Sequence, residues 1–194
     1  DVTEDLELMP ISAYNKTKMV AERVLMSYAD DMHVHNIRPA TVCGVSPRMR
    51  FDVSVNMFAK QGYLDGRLTV FGGKQVRPNI HIDDLVDVYR HFLAHPNLPS
   101  GAYNAGFENI EILHIAEMVK ERTGAEIEIT PSNDPRSYRQ NSDKLLSTGF
   151  RPKKTVANAI DEVIAALASG DLVDRDEWYT VRWMKESVIR QDSA

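Results

Sequence analysis

A change of period between residues 12 and 41 constrains this chain more than any other feature. From Ser12 to about Asp30, residues Thr17, Val20, Ala21, Val24, Leu25 and Tyr28 recur three and four positions apart. That is the spacing of one face of an α-helix. Ser12 suits the N-cap, where a hydroxyl takes up a free backbone N–H. Residues 33–41 then read as a strand running into Val42-Cys43-Gly44. Helix followed by strand is the cadence of an α/β unit built on a parallel sheet. Such sheets bind ligands at the carboxyl ends of their strands, so residues 39–44 are expected at a crevice.

The rest of the chain keeps the alternation. Residues 1–11 are acidic and contain Pro10, which reads as a loop. A helix is expected over 53–61 and a strand over 68–71. Gly72-Gly73-Lys74 lacks the upstream glycine and the following Ser/Thr of a phosphate loop. It reads instead as the turn of a hairpin whose second arm is 75–82. Asp83 or Asp84 is expected to cap a helix reaching His95, not to form a catalytic carboxylate pair. A short strand follows at 102–106, a helix at 112–123 stopped by Gly124, and a strand at 126–129. Helices are expected at 141–147 and at 155–168, the second stopped near Gly170. The tail from Arg175 reads as helical and carries Trp178 and Trp183.

Composition narrows the function. The chain has 194 residues, 43% hydrophobic and 26% charged, with a net charge of -5. These values fit a globular protein and point away from nucleic acid and from an anionic membrane surface. No apolar run approaches the roughly 20 residues of a membrane span. The single cysteine, Cys43, excludes an intrachain disulfide and fits a reducing, cytoplasmic setting.

Tyr14 and Lys18 stand four apart on the first helix, hence on one face. An ammonium beside a phenol favours the phenolate, which makes the pair suited to proton transfer. The competing role for Lys18 is a surface ion pair with Glu22, also four residues away. His91 and His95 share the spacing of two metal ligands, but no third ligand is evident, and a solvated or capping role fits better. His33 and His35 read as non-functional, and Cys43 as a packed residue.

Several motifs fall in a telling order. They are Pro10-x-Ser12-x-Tyr14-x-x-x-Lys18-x-x-x-Glu22, Arg38-Pro39-Ala40-Thr41-Val42-Cys43-Gly44, and Leu68-Thr69-Val70-Phe71-Gly72 with Arg77. Ile80-His81-Ile82-Asp83-Asp84 and Tyr103-Asn104-Ala105-Gly106 follow, then Asp134-Pro135-Arg136-Ser137-Tyr138 with Lys144, and Gly149-Phe150-x-Pro152. Together they resemble the extended short-chain dehydrogenase/reductase family, and within it the NAD-dependent nucleotide-sugar epimerases and dehydratases.

The resemblance implies the later part of a doubly wound, Rossmann-like parallel-sheet domain in residues 1–45. It implies a small α/β nucleotide-sugar-binding lobe with returning Rossmann strands in 46–170, and a tail in 171–194. It also implies NAD as cofactor, a nucleotide-diphosphate sugar as substrate, and a homodimer. Tyr14 becomes the acid/base, with Lys18 holding the nicotinamide ribose. Residues Pro39, Ala40, Thr41 and Val42 line the nicotinamide end of the cofactor. Arg77 and Arg136 bind the diphosphate, Thr69 and Phe71 flank the base, and Thr41, Asn56 and Asn104 complete the substrate contacts. Arg48 and Arg50 form a basic loop beside the crevice. Epimerisation is the implied reaction, with 4,6-dehydration or reduction, or non-catalytic nucleotide-sugar binding, as the alternatives. The family's glycine-rich loop, which holds the cofactor pyrophosphate at a helix N-terminus, does not occur in the 194 residues. The chain alone is therefore expected to bind NAD poorly and to be inactive.

Overall fold

The computed structural model describes residues 1–132 and 137–191. In chain order the elements are α1 (Ala13–Met26), β1 (His35–Pro39), β2 (Thr41–Cys43), α2 (Ser54–Leu64), β3 (Arg67–Phe71), β4 (Val76–His81) and α3 (Ile82–Ala94). Then come β5 (Gly101–Ala105), β6 (Glu108–Glu111), α4 (Ile112–Thr123), β7 (Glu126–Thr130), α5 (Asp143–Ser147), α6 (Val156–Ser169), a 3-10 turn at Asp176–Trp178, and α7 (Thr180–Gln191). The fold is mixed α/β. Ser12 caps α1 as its hydroxyl suggests, accepting the Asn15 N–H at 3.1 Å. Gly124, in the left-handed region at φ 74°, ends α4.

The extended run after α1 is two strands, not one. β1 pairs in parallel with β5, Ile37 opposite Tyr103. One residue later the chain enters another sheet, where β2 runs parallel to β4 and Thr41 faces Asn79. β4 also pairs antiparallel with β6, and β3 pairs in parallel with β7.

The expected hairpin between β3 and β4 does not form, because the two strands belong to different sheets. The burial pattern gives the reason. β4 is buried at four consecutive residues, Pro78 to His81, as in a strand covered on both faces. It takes neighbours on both edges. β3 buries only alternate residues, Leu68 and Val70. The turn between them is still a glycine turn. Gly72 and Gly73 have φ of 78° and 111°, a region that strains residues with a Cβ. Gln75 locks the turn by accepting the Gly73 N–H and donating to the Phe71 carbonyl, both at 2.6 Å.

One apolar core joins α2, α4 and α6 to β3 through Phe58, Leu68, Val70, Ile115 and Ile160, and takes in Phe51 and Trp178. A second surrounds β5 with Ile80, Val88, Phe92, Tyr103, Leu145 and Phe150. α1 contributes no buried residue. Its apolar face, with Val20 and Val24 each 53% exposed, is open. Among the described residues no helix is long and apolar enough to cross a membrane.

The cap of α3 differs from expectation. The His81 ring, not an aspartate, accepts the Asp83 N–H at 3.1 Å. Asp84 is buried at 1% exposure. It accepts the backbone N–H groups of Lys153 and Lys154 at 2.9 and 3.0 Å, tying α3 to the segment that enters α6. Asp84→Ala strands both donors, and a loss of about 2–4 kcal/mol is expected, read by urea unfolding. Asp84→Asn keeps an acceptor and should lose less.

Cys43 packs as expected, 1% exposed, its Sγ 3.4 Å from the Ile80 carbonyl. Burial, with Glu108 and Glu162 nearby, pushes its thiol up to about 12. The thiolate is the reactive form. Cys43 should therefore resist iodoacetamide at pH 8 in the folded chain and react fully in urea, as mass spectrometry would show.

Candidate active site

α1 sets Tyr14 and Lys18 one turn apart. The Lys18 Nζ stands 5.4 Å from the centroid of the Tyr14 ring. The ion pair considered for Lys18 is not made, because Arg38 takes Glu22. Its Nε and a terminal nitrogen reach the two carboxylate oxygens at 2.9 and 2.5 Å. A planar guanidinium matches a carboxylate on two prongs, which an ammonium does not. The same contact fastens α1 to β1.

Tyr14 is 67% exposed and opens on a groove of about 730 Å³ that also touches Lys18, Glu22, Arg38, Pro39 and, across β1, Tyr89. All five residues of β1, His35 to Pro39, line this groove.

A second cavity, of about 330 Å³, collects four of the residues assigned to substrate: Thr41, Thr69, Phe71 and Arg77. Strand periodicity explains the convergence. Thr69 and Phe71 lie two apart on β3, on the face opposite the buried Leu68 and Val70, as alternation requires. Arg77 lies two before Asn79 on β4, and Asn79 pairs with Thr41. Phe71 is 58% exposed. The groove and the cavity meet through the chain: Pro39 lines one and Thr41 the other. Two peptide units separate them, at most about 7 Å.

Other expected contacts lie elsewhere. Asn56 is buried in α2, where its side chain accepts the Gly44 N–H at 3.0 Å and donates to the Arg50 carbonyl at 3.1 Å. Asn104 donates to the Val2 and Asn141 carbonyls at 3.1 and 3.0 Å. Both amides hold backbone together, and neither lines the cavity. The Ala40 N–H bonds the Ala105 carbonyl at 2.9 Å. The side chains of Ala40 and Val42 pack on the second core. Arg136 lies outside the described residues. Arg50 pairs with Asp52 at 2.9 Å.

His81, Asp83 and Glu162 come close enough for a metal, but the ring is committed. Nδ1 accepts the Asp83 N–H, so Nε2 carries the proton and meets Glu162 at 3.1 Å. His91 and His95 are likewise engaged, with the Thr148 hydroxyl and the His91 carbonyl, each at 2.8 Å. Asp52 and Gln75 line the cavity without having been expected there. Neither sits in a periodic pattern or a charge cluster that would have marked it.

Comparison with known proteins adds an independent line. Residues 1–106 match the model of the NAD dependent epimerase/dehydratase family. A UDP-glucose 4-epimerase of Lactobacillus helveticus is 30% identical, covering 84% of this chain and 56% of that protein. Among solved structures, the UDP-glucuronic acid 4-epimerase of Bacillus cereus, in complex with UDP-glucuronic acid and NAD, is similar at a TM-score of 0.74. It is 26% identical, over 87% of this chain and 56% of that one. A dTDP-glucose 4,6-dehydratase of Bacillus anthracis, in complex with NAD, shares the fold at a TM-score of 0.75 and 22% identity, over 92% of this chain and 57% of that one. The chain spans about half the length of the curated relatives it matches. With more than half of its residues matched by the family model, the chain belongs to the NAD dependent epimerase/dehydratase family.

Proposed function

We propose that this chain carries the acid/base end and the nucleotide-sugar cavity of an NAD-dependent nucleotide-sugar epimerase. The observation that carries the reading is the Lys18 ammonium 5.4 Å from the Tyr14 ring, on a groove that also takes in Pro39. A phenol hydroxyl and an ammonium are donors and acceptors of the kind that fit ribose hydroxyls, so these residues suit the cofactor's nicotinamide ribose. NAD, when bound, would accept hydride from a sugar carbon and return it to that carbon.

The chain's own part is proton handling and positioning. Tyr14 removes the proton from a sugar hydroxyl and later gives it back. Lys18 holds ribose hydroxyls and favours the phenolate. In the cavity, Arg77 offers a rigid fork of donors to the diphosphate. Thr69 and Phe71 flank the base, and the Thr41 hydroxyl reaches toward the sugar. The exposed apolar face of α1 supports a homodimer, with this helix at its interface.

In a version extended to the relatives' full length, Tyr14→Phe should lower kcat about 10²–10⁴-fold. Nucleotide-sugar affinity should stay within twofold. Turnover within a few-fold of the parent rules Tyr14 out as the acid/base. Arg77→Ala should instead raise the calorimetric Kd for UDP-glucose by about 10–100-fold, and an unchanged Kd removes Arg77 from the diphosphate site.

A further inference from the structure

We propose that Asp52 is a specificity-determining contact, whose Oδ2 accepts a hydrogen bond from a neutral N–H or O–H donor of the nucleotide sugar. The inference rests on the nucleotide-sugar reading of the cavity and adds to it a residue and a chemical requirement on the ligand.

Asp52 lines the same cavity as Thr41, Thr69 and Arg77. Its two carboxylate oxygens live differently. Oδ1 receives the Arg50 Nε–H at 2.9 Å. Oδ2 is buried and, among the described residues, has no hydrogen-bond partner. A buried acceptor without a donor costs stability, and native proteins keep few of them. When such an atom belongs to a residue that lines a cavity where substrate-type residues converge, a ligand donor is the partner that would satisfy it.

The backbone holds the oxygen where it is. Phe51 is fully buried, and its N–H donates to the Trp178 carbonyl at 3.0 Å. Its ring meets the Trp178 ring edge-on at 5.6 Å. Asn56 holds the carbonyl of that same peptide unit, that of Arg50. After Asp52, the Val53 carbonyl accepts the Met57 N–H at 2.8 Å, so the backbone is hydrogen-bonded on both sides of Asp52. Gln75, which also lines the cavity, donates to the Phe71 carbonyl and accepts from the Gly73 N–H, and it makes no hydrogen bond to Oδ2.

The charge of Asp52 also says what it does not meet. A carboxylate repels a diphosphate, which belongs with Arg77. The donor Asp52 accepts from is the ring or imide N–H of a base, or a hydroxyl of ribose or of the sugar.

Calorimetry on this chain with UDP, dTDP and GDP, and with their glucose esters, tests the assignment against Asp52→Ala and Asp52→Asn. Asp52→Ala should raise the Kd of the ligands the parent binds by about tenfold or more, and Asp52→Asn by less, because it keeps an oxygen. A loss shared by the nucleotide and its glucose ester puts the donor on the nucleotide. A loss seen with the ester alone puts it on the sugar.

Thermal melts of the ligand-free variants separate binding from structure. The Arg50 pair is half-exposed on the arginine side and contributes little, so removing an unpaired buried oxygen should leave Tm unchanged or raised. A Kd within twofold of the parent in Asp52→Ala overturns the role of Asp52 alone. A ligand-free Tm lowered in both variants makes Asp52 a loop-holding residue and also overturns it. A parent that binds none of the six ligands overturns the nucleotide-sugar reading and this inference with it.

Discussion

The burial of β4 on both faces governs this structure. Pro78 to His81 are enclosed, so the strand must satisfy its backbone on both edges, with β2 on one side and β6 on the other. That choice brings Thr41 opposite Asn79 and places Arg77 at the cavity. It carries the chain into α3 at His81, whose ring caps the helix it precedes. One turn on, Asp84 anchors the entry to α6 through two backbone N–H groups. A strand that has to be internal thus fixes a helix start, a crossover and an arginine of the cavity together.

What the sequence made legible was local. The bounds of α4 read directly from its period and from Gly124, and Ser12 marked the start of α1. The four-residue spacing of Tyr14 and Lys18 is enough to put them on one helix face. Strand pairing was less legible, because a partner is chosen over long stretches of chain. Gly72-Gly73 is a genuine turn, yet the strands it separates pair with β7, β2 and β6. Glu22 was similarly claimed from a distance, by Arg38, over the lysine one turn away.

The candidate site follows the same rule. Alternation on β3 sends Thr69 and Phe71 to the cavity, so their side is readable from a period of two. Asn56 and Asn104 have amides that suit a sugar as well as they suit a backbone. Only their neighbours, Gly44 and Arg50 for one and Val2 and Asn141 for the other, show the backbone to be the partner. Asp52 was silent because its interest lies in an oxygen left without a donor, which no spacing encodes.

Ala40 has a consequence of its own. It is the single residue between two strands that enter different sheets. Its Cβ faces Gly106 so closely that a methyl there would stand 2.6 Å away. The join works as a ruler. The step from Pro39 in the groove to Thr41 in the cavity is measured in two peptide units and set by one residue's torsions. Surface loops elsewhere can lengthen and leave that measure alone. An added residue at this join would turn every later side chain of β2 to the other face, and carry Thr41 out of the cavity. Variation that retunes the cavity therefore belongs to its rim, while this short step is bound to keep its length.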